Sequence, residues 1–273
     1  MTGERATSLT ADELAQLADL ARAVAAETGA LLLDDRPRHL QVGTKSTPTD
    51  VVTEMDTRAE ALLVDRIRAA RPDDGVLGEE GAADSGRSGV RWVIDPVDGT
   101  VNYLYELPVW AVSVAAEIDG VVQVGVVEAP ALGETFAAVR GQGATRNGEP
   151  IHASACTALD QALVATGFGY DAGRRARQAA VVAAILPVVR DIRRLGASSL
   201  DLCGVACGRV DGYFERGLHA WDLAAGTLIA AEAGALVGGL RGAPASGELV
   251  LAAGPGLFEA LHDLLLPLGA DRD

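Results

Sequence analysis

The segment W-V-I-D-P-V-D-G-T-V-N-Y, Trp92 to Tyr103, governs how the rest of the chain is read. A β-rich run, GVRWVID (89 to 95), leads straight into Asp95. Pro96 has no N–H to give a sheet interior, so the strand is expected to stop there. Asp95 and Asp98, three residues apart, are then held in a turn that ends at Gly99-Thr100. Carboxylates at the end of a rigid strand suit hard divalent cations, which take oxygen ligands, and the Val97 carbonyl between them offers one more. If Gly99 and Thr100 open a helix, their N–H groups suit a phosphate. An ordinary Asp/Gly/Pro surface turn has the same composition, and this segment alone leaves both readings open.

Outward from it the pattern is of helices and sheets in blocks. Upstream, Thr10 with Glu13 forms a capping box for a helix running through Leu33, and a second helix spans about Met55 to Ala70, stopping at Arg71-Pro72. Downstream, strands are expected at 110 to 118 and 121 to 129, joined by the hairpin signal Asp119-Gly120, and at 134 to 140. After the Gly-rich turn 141 to 150, a strand at 162 to 170 and a helix from 172 to 190 are expected. A helix at SSLDLCGVACG, a strand at 211 to 215, a helix at 220 to 234, a strand at 249 to 254 and a helix after Pro255 complete the pattern. The reading is an α+β chain of layered architecture. Residues 1–145 form one half with most of the candidate ligands, and residues 146–273 form the other, the two acting as one functional unit.

Composition narrows the function. The 273 residues carry 38 Asp+Glu against 23 Lys+Arg, a net charge of −15. Nucleic acid and anionic lipid bind through Lys and Arg, so no nucleic-acid partner and no membrane partner are expected. Aromatics are only 4%, which leaves Ala, Val and Leu to build the core. Three cysteines, Cys156, Cys203 and Cys207, make no disulfide framework, and the N-terminus has no apolar leader core. A reduced, cytoplasmic setting is expected.

Further carboxylates punctuate the chain: Asp56 at the start of the second helix, Glu79-Glu80 after a short apolar run, and Asp222 at the start of the late Ala-rich helix. Singly, each has an ordinary explanation as a cap or a solvated acid. As an ordered set, TDVVTEMD (49 to 56), GEE (78 to 80), WVIDPVDGTVNY (92 to 103) and GYFERGLHAWDLAAG (212 to 226) resemble the inositol monophosphatase family over nearly the whole chain.

The resemblance implies a layered αβαβα sandwich and a lithium-sensitive, Mg²⁺-dependent phosphatase of inositol 1-phosphate with two to three ions per site. Glu79, Asp95 and the Val97 carbonyl are implied to hold the first ion; Asp95, Asp98 and Asp222 the second. Thr100 is the implied catalytic threonine, with Asp56 as its carboxylate partner and Glu79 helping to orient the attacking water. The substrate would be bound by Gly99, Thr100, Asp98, Asp222, Glu215, Ala197 and Ser198. Lys45 matches a basic position near a third ion, or is plain surface. His219 matches a structural position. The family's homodimer is implied as well.

Other small phosphates use the same metal core: fructose 1,6-bisphosphate, histidinol phosphate or 3′-phosphoadenosine 5′-phosphate. A second phosphate would need extra cations, and Arg174, Arg175 and Arg177 either serve it or cover a helix face. An inactive binding or regulatory homologue is the alternative of another class, and the intact carboxylate set argues against it. Thr44-Lys45-Ser46 fails as a P-loop, Cys203 and Cys207 lack further zinc ligands, and no G-x-S-x-G elbow occurs.

Overall fold

The computed structural model describes residues 9–272. The expectation of no leader rests on residues 1–16, of which 1–8 lie outside that range. Helix α1 (Ala11–Asp34) begins with the anticipated box, Thr10 and Glu13 each satisfying the other's backbone N–H. A small hairpin, β1 (Val42–Thr44) and β2 (Val51–Thr53), leads into α2 (Glu54–Ala70), which Thr53 and Asp56 cap in the same reciprocal way. Then come β3 (Gly75–Gly78), β4 (Ala83–Asp84), β5 (Val90–Asp98), the short α3 (Thr100–Leu104), and the antiparallel run β6 (Ala111–Ile118), β7 (Val121–Ala129), β8 (Glu134–Val139), β9 (Ala144–Arg146) and β10 (Glu149–Pro150).

These strands form one eight-stranded sheet, ordered β10-β9-β8-β7-β6-β5-β3-β4, antiparallel except for the β3–β5 pair. The Asp119-Gly120 turn has positive φ at both residues, as a two-residue hairpin of matching twist requires. One expectation is corrected here. Strand β5 does not stop at Pro96 but runs on to Asp98. Its pairing with β6 shifts register between Asp95 and Asp98, so Pro96 and Val97 ride over an irregularity in which Pro's missing N–H costs no ladder bond.

The second half contributes β11 (Leu163–Thr166), α4 (Ala172–Ile185), β12 (Asp191–Arg193), α5 (Ser198–Ala206), β13 (Gly212–Glu215), α6 (Ala220–Glu232), β14 (Leu236–Gly238), β15 (Val250–Ala253) and α7 (Phe258–Leu265). Its five strands are ordered β12-β11-β13-β15-β14. The strand expected at 162 to 170 is only four residues long, because Gly167 and Gly169 lead into the turn before α4. Helix α4 ends at Ile185, before Pro187; residues 186–190 of the expected helix form an irregular turn that leads into β12.

Alternation along the strands sorts the core into layers. Trp92 and Ile94 of β5 join α1 and α2 on one face of the large sheet, while Val93 faces the middle layer. Tyr213 of β13 also faces the middle, and Phe214 faces α4 and α7 on the far side. The order is α1α2, sheet, α5α6, sheet, α4α7: a five-layer αβαβα sandwich. The middle helices are covered on both sides, and every residue of α5 is buried. That explains an Ala-rich, aromatic-poor sequence, since a helix between two sheets needs small side chains all round. Gly125 of β7 shows how close the layers come: a Cβ there would lie 2.9 Å from the Ala225 carbonyl oxygen. No helix among the described residues is long and apolar enough to cross a membrane.

Candidate active site

The capped start of α2 supplies the first site residue. Asp56 is fully buried, and its Oδ2 accepts the Thr53 N–H at 2.9 Å and the Thr53 hydroxyl at 2.5 Å. Its other oxygen, Oδ1, faces the end of β5, where the Thr100 hydroxyl lies 3.0 Å away. The Val97 carbonyl is also 3.0 Å from that hydroxyl. One proton thus has two acceptors, and the carboxylate is the stronger. Gly99 makes this turn possible: it caps α3 at φ +93°, and a Cβ would press on the Val109 carbonyl at 3.0 Å and on the Ala197 methyl at 3.2 Å.

Asp95, Val97, Asp98, Gly99 and Thr100 open into a cavity of about 310 Å³. Glu79 enters from the loop after β3, Asp222 from the first turn of α6, and Glu215 from the end of β13. Residues distant in sequence converge because β3 and β5 are parallel neighbours ending on the same side, with the N-termini of α5 and α6 at that end. Asp98 is anchored on α5: it accepts the N–H groups of Ser198 at 3.2 Å and Ser199 at 2.7 Å, and the Ser199 hydroxyl at 2.5 Å. Asp222 Oδ2 accepts the His219 N–H at 2.6 Å, and the His219 ring stacks on Trp221.

The electrostatics follow from crowding. Burial, then Glu79, Asp98 and Asp222, push the Asp95 carboxyl far above the usual carboxylate range. Asp222 is raised by burial and by Asp98. Asp98 is pushed up to about 6 by burial, held back by its Ser199 bonds. Burial raises Asp56 as well, against the lowering by Thr53 and Thr100. Glu215 is pushed up to about 7 by burial, offset by the Tyr213 hydroxyl, which donates to it at 2.7 Å, and by Arg194. Such mutual repulsion is relieved by a cation, and an all-oxygen donor set of this charge fits a hard divalent ion.

Some expected residues sit differently. The Ala197 side chain is buried in the middle core, and the cavity wall there is made by Gly196 and Ser198. Lys45 is not plain surface: its Nζ lies 2.8 Å from Glu79 and 2.6 Å from Glu80. Burial works against its charge, but the two carboxylates outweigh that and raise its pKa. Of the arginine cluster, only Arg174 lines the cavity; Arg177 lines a neighbouring one of about 370 Å³ with Arg174, Arg216 and Arg272, and Arg175 lines neither.

The roles of three participants were not read from the sequence. Arg194 lines the cavity and its charge acts on Glu215. Ser199 anchors Asp98. Asn102 of α3 donates to the Val109 and Leu195 carbonyls at 2.6 and 2.8 Å, tying the loop that carries Gly196 to the large sheet. Only Ser199 carried a signal, as a hydroxyl in the first turn of a helix.

The sequence pattern of the inositol monophosphatase family matches residues 13–268. An inositol-1-monophosphatase of Mycobacterium leprae is 49% identical over 231 residues, 81% of this chain and 79% of that protein. The Nus factor SuhB of Escherichia coli is 44% identical over 195 residues, 71% of this chain and 73% of that one. The crystal structure of the extragenic suppressor protein suhB from Bartonella henselae superposes with a TM-score of 0.87 at 33% identity, covering 92% of this chain and 98% of that one.

Proposed function

The chain belongs to the inositol monophosphatase family, and from that premise we propose that it is a Mg²⁺-dependent phosphomonoesterase of myo-inositol 1-phosphate and related inositol monophosphates. The observation that supports this reading most directly is one cavity in which Glu79, Asp95, Asp98 and Asp222 face Glu215. Glu79, Asp95, Asp98, Asp222 and the Val97 carbonyl would hold two to three Mg²⁺ ions. When bound, such ions polarise phosphoryl oxygens and lower the pKa of water.

The protein's own groups do the rest. Asp56 accepts the hydrogen bond of the Thr100 hydroxyl, so the Thr100 oxygen turns a lone pair to the cavity and aligns an incoming water by accepting from it. Burial raises the Asp56 pKa, which makes it a stronger hydrogen-bond acceptor than a solvated aspartate. Gly99 and Thr100 line the place of the phosphoryl group. Glu215, held by Tyr213, accepts hydroxyls of a polyol, a charge-assisted bond that favours a sugar-like leaving group. Asn102 and Asp98 tie the two halves of the chain, 1–145 and 146–273, around one site.

Arg174 and Arg194, which both line the cavity, favour a second reading, a substrate with an additional phosphate. A panel of inositol monophosphates, fructose 1,6-bisphosphate, histidinol phosphate and 3′-phosphoadenosine 5′-phosphate, assayed with Mg²⁺, separates them. No turnover of the inositol phosphates would overturn the first choice. The same reading carries inhibition by lithium, a cytoplasmic location and a homodimer; an enzyme insensitive to lithium would count against it.

A further inference from the structure

Glu79 comes from a loop, and a loop by itself does not fix a carboxylate to the tolerance a cation site needs. The segment Gly78-Glu79-Glu80-Gly81-Ala82 is nevertheless closely held. Its ends meet where the Gly78 N–H donates to the Ala82 carbonyl at 2.7 Å. Inside it two further N–H groups converge on one side chain. Glu60 Oε2 accepts from Glu80 N at 2.7 Å, and Glu60 Oε1 accepts from Ala82 N at 2.9 Å.

Glu60 lies on α2, is only 6% exposed, and sits one turn beyond Asp56 on the same helix face. Its carboxylate fills the space beneath Gly78, where a Cβ would come within 2.3 Å of Oε2. The Glu80 N–H belongs to the peptide unit that follows Glu79, so this bond sets the plane from which the Glu79 side chain leaves. A carboxylate has an acceptor oxygen at both positions; a glutamine would turn an NH₂ toward one of the two N–H donors.

Resting on the reading of Glu79 as a cation ligand, we propose that Glu60 is the positioning residue for Glu79. It clamps the 78–82 loop by its backbone and couples it to the helix that also carries Asp56. One rigid helix then fixes both the Thr100–Asp56 pair and the Glu79 carboxylate. Glu60 itself touches neither cation nor substrate.

The test is Glu60→Gln beside the wild type. Mg²⁺ is titrated calorimetrically into metal-stripped protein, and phosphate release is followed against Mg²⁺ concentration. The expected result is Mg²⁺ binding weakened ~10- to 100-fold, with kcat at saturating Mg²⁺ held close to the wild-type value. A lower melting temperature with an unchanged Mg²⁺ titration overturns the proposal, since that is what a purely structural role gives. A wild type that takes up no Mg²⁺ overturns the phosphatase reading together with the proposal, whereas wild-type uptake equalled by the Gln variant overturns the proposal alone. Should the variant fail to fold, amide exchange in the wild type decides. Protection at Glu80 and Ala82 supports the clamp, and free exchange there overturns it.

Discussion

Replacing Thr100 by Val tests the pair that the mechanism depends on. The side chains are nearly isosteric, so the change removes a hydroxyl with little change of volume. Thr100 is 7% exposed and Asp56 is fully buried, so no bulk water restores the lost bond. Asp56 keeps its two Thr53 bonds but Oδ1 loses its 3.0 Å donor. A hydrogen bond to a charged group contributes ~1.5–3 kcal/mol. For a chain of this size that corresponds to a melting temperature lower by on the order of 5 °C.

Activity should fall further than stability, because the aligning oxygen itself is gone: kcat drops ~10²- to 10⁴-fold. Thr100→Ser keeps the hydroxyl and should recover most of the loss. The acid limb of any residual pH–rate profile should move upward, since the Thr100 bond lowers the Asp56 pKa and its removal lets burial raise it further. The assay is Mg²⁺-dependent phosphate release, run as a cycle with Asp56→Asn. Two groups acting as a unit give a double variant little worse than either single one. A Val variant with wild-type kcat, or costs that simply add in the double variant, would refute the reasoning.

Asp95→Asn should cut Mg²⁺-dependent phosphate release more than ~100-fold while raising the melting temperature of the metal-free protein, because one charge leaves the repulsive group of Glu79, Asp98 and Asp222; surviving activity would sink the metal assignment. Glu215 is raised from 4.5 to about 7, so the folded state holds its proton more tightly than the unfolded chain does. Its stabilising contribution is complete below pH 4.5 and is lost as pH rises through about 7, a few kcal/mol by linkage. Denaturant unfolding of metal-free Glu215→Gln should therefore show a weaker decline of stability across that window, and an unchanged slope would contradict the burial argument. Gly125→Ala should destabilise by ~1–3 kcal/mol, since its methyl meets Ala225 backbone across the sheet–helix contact; equal urea midpoints would show that the layers yield there.

Local chemistry fixed much of this protein in advance. The Thr10–Glu13 box, the Asp119-Gly120 hairpin and the alternating strands around it depend on neighbours in sequence, and they stand close to where their residues place them. The ordered carboxylate motifs named the family because each is a short contiguous pattern. The chain past Thr166 was harder to read: Gly167, Gly169 and Pro187 break the expected strand and helix, and β12 is too short to show a period.

The continuation of β5 through Pro96 was hidden, because whether a proline interrupts a ladder depends on the register of the strand opposite. The same holds for Glu60, Ser199, Asn102 and Arg194. Each is an unremarkable polar residue in its own segment and acquires a role only from backbone or charge brought to it from 20 to about 100 residues away. Sequence alone therefore determined which side chains can carry the chemistry, since donor type and local turn are properties of the residues themselves. Tertiary structure alone decided how they are held, because an anchor is defined by the partner that packing brings within hydrogen-bond reach.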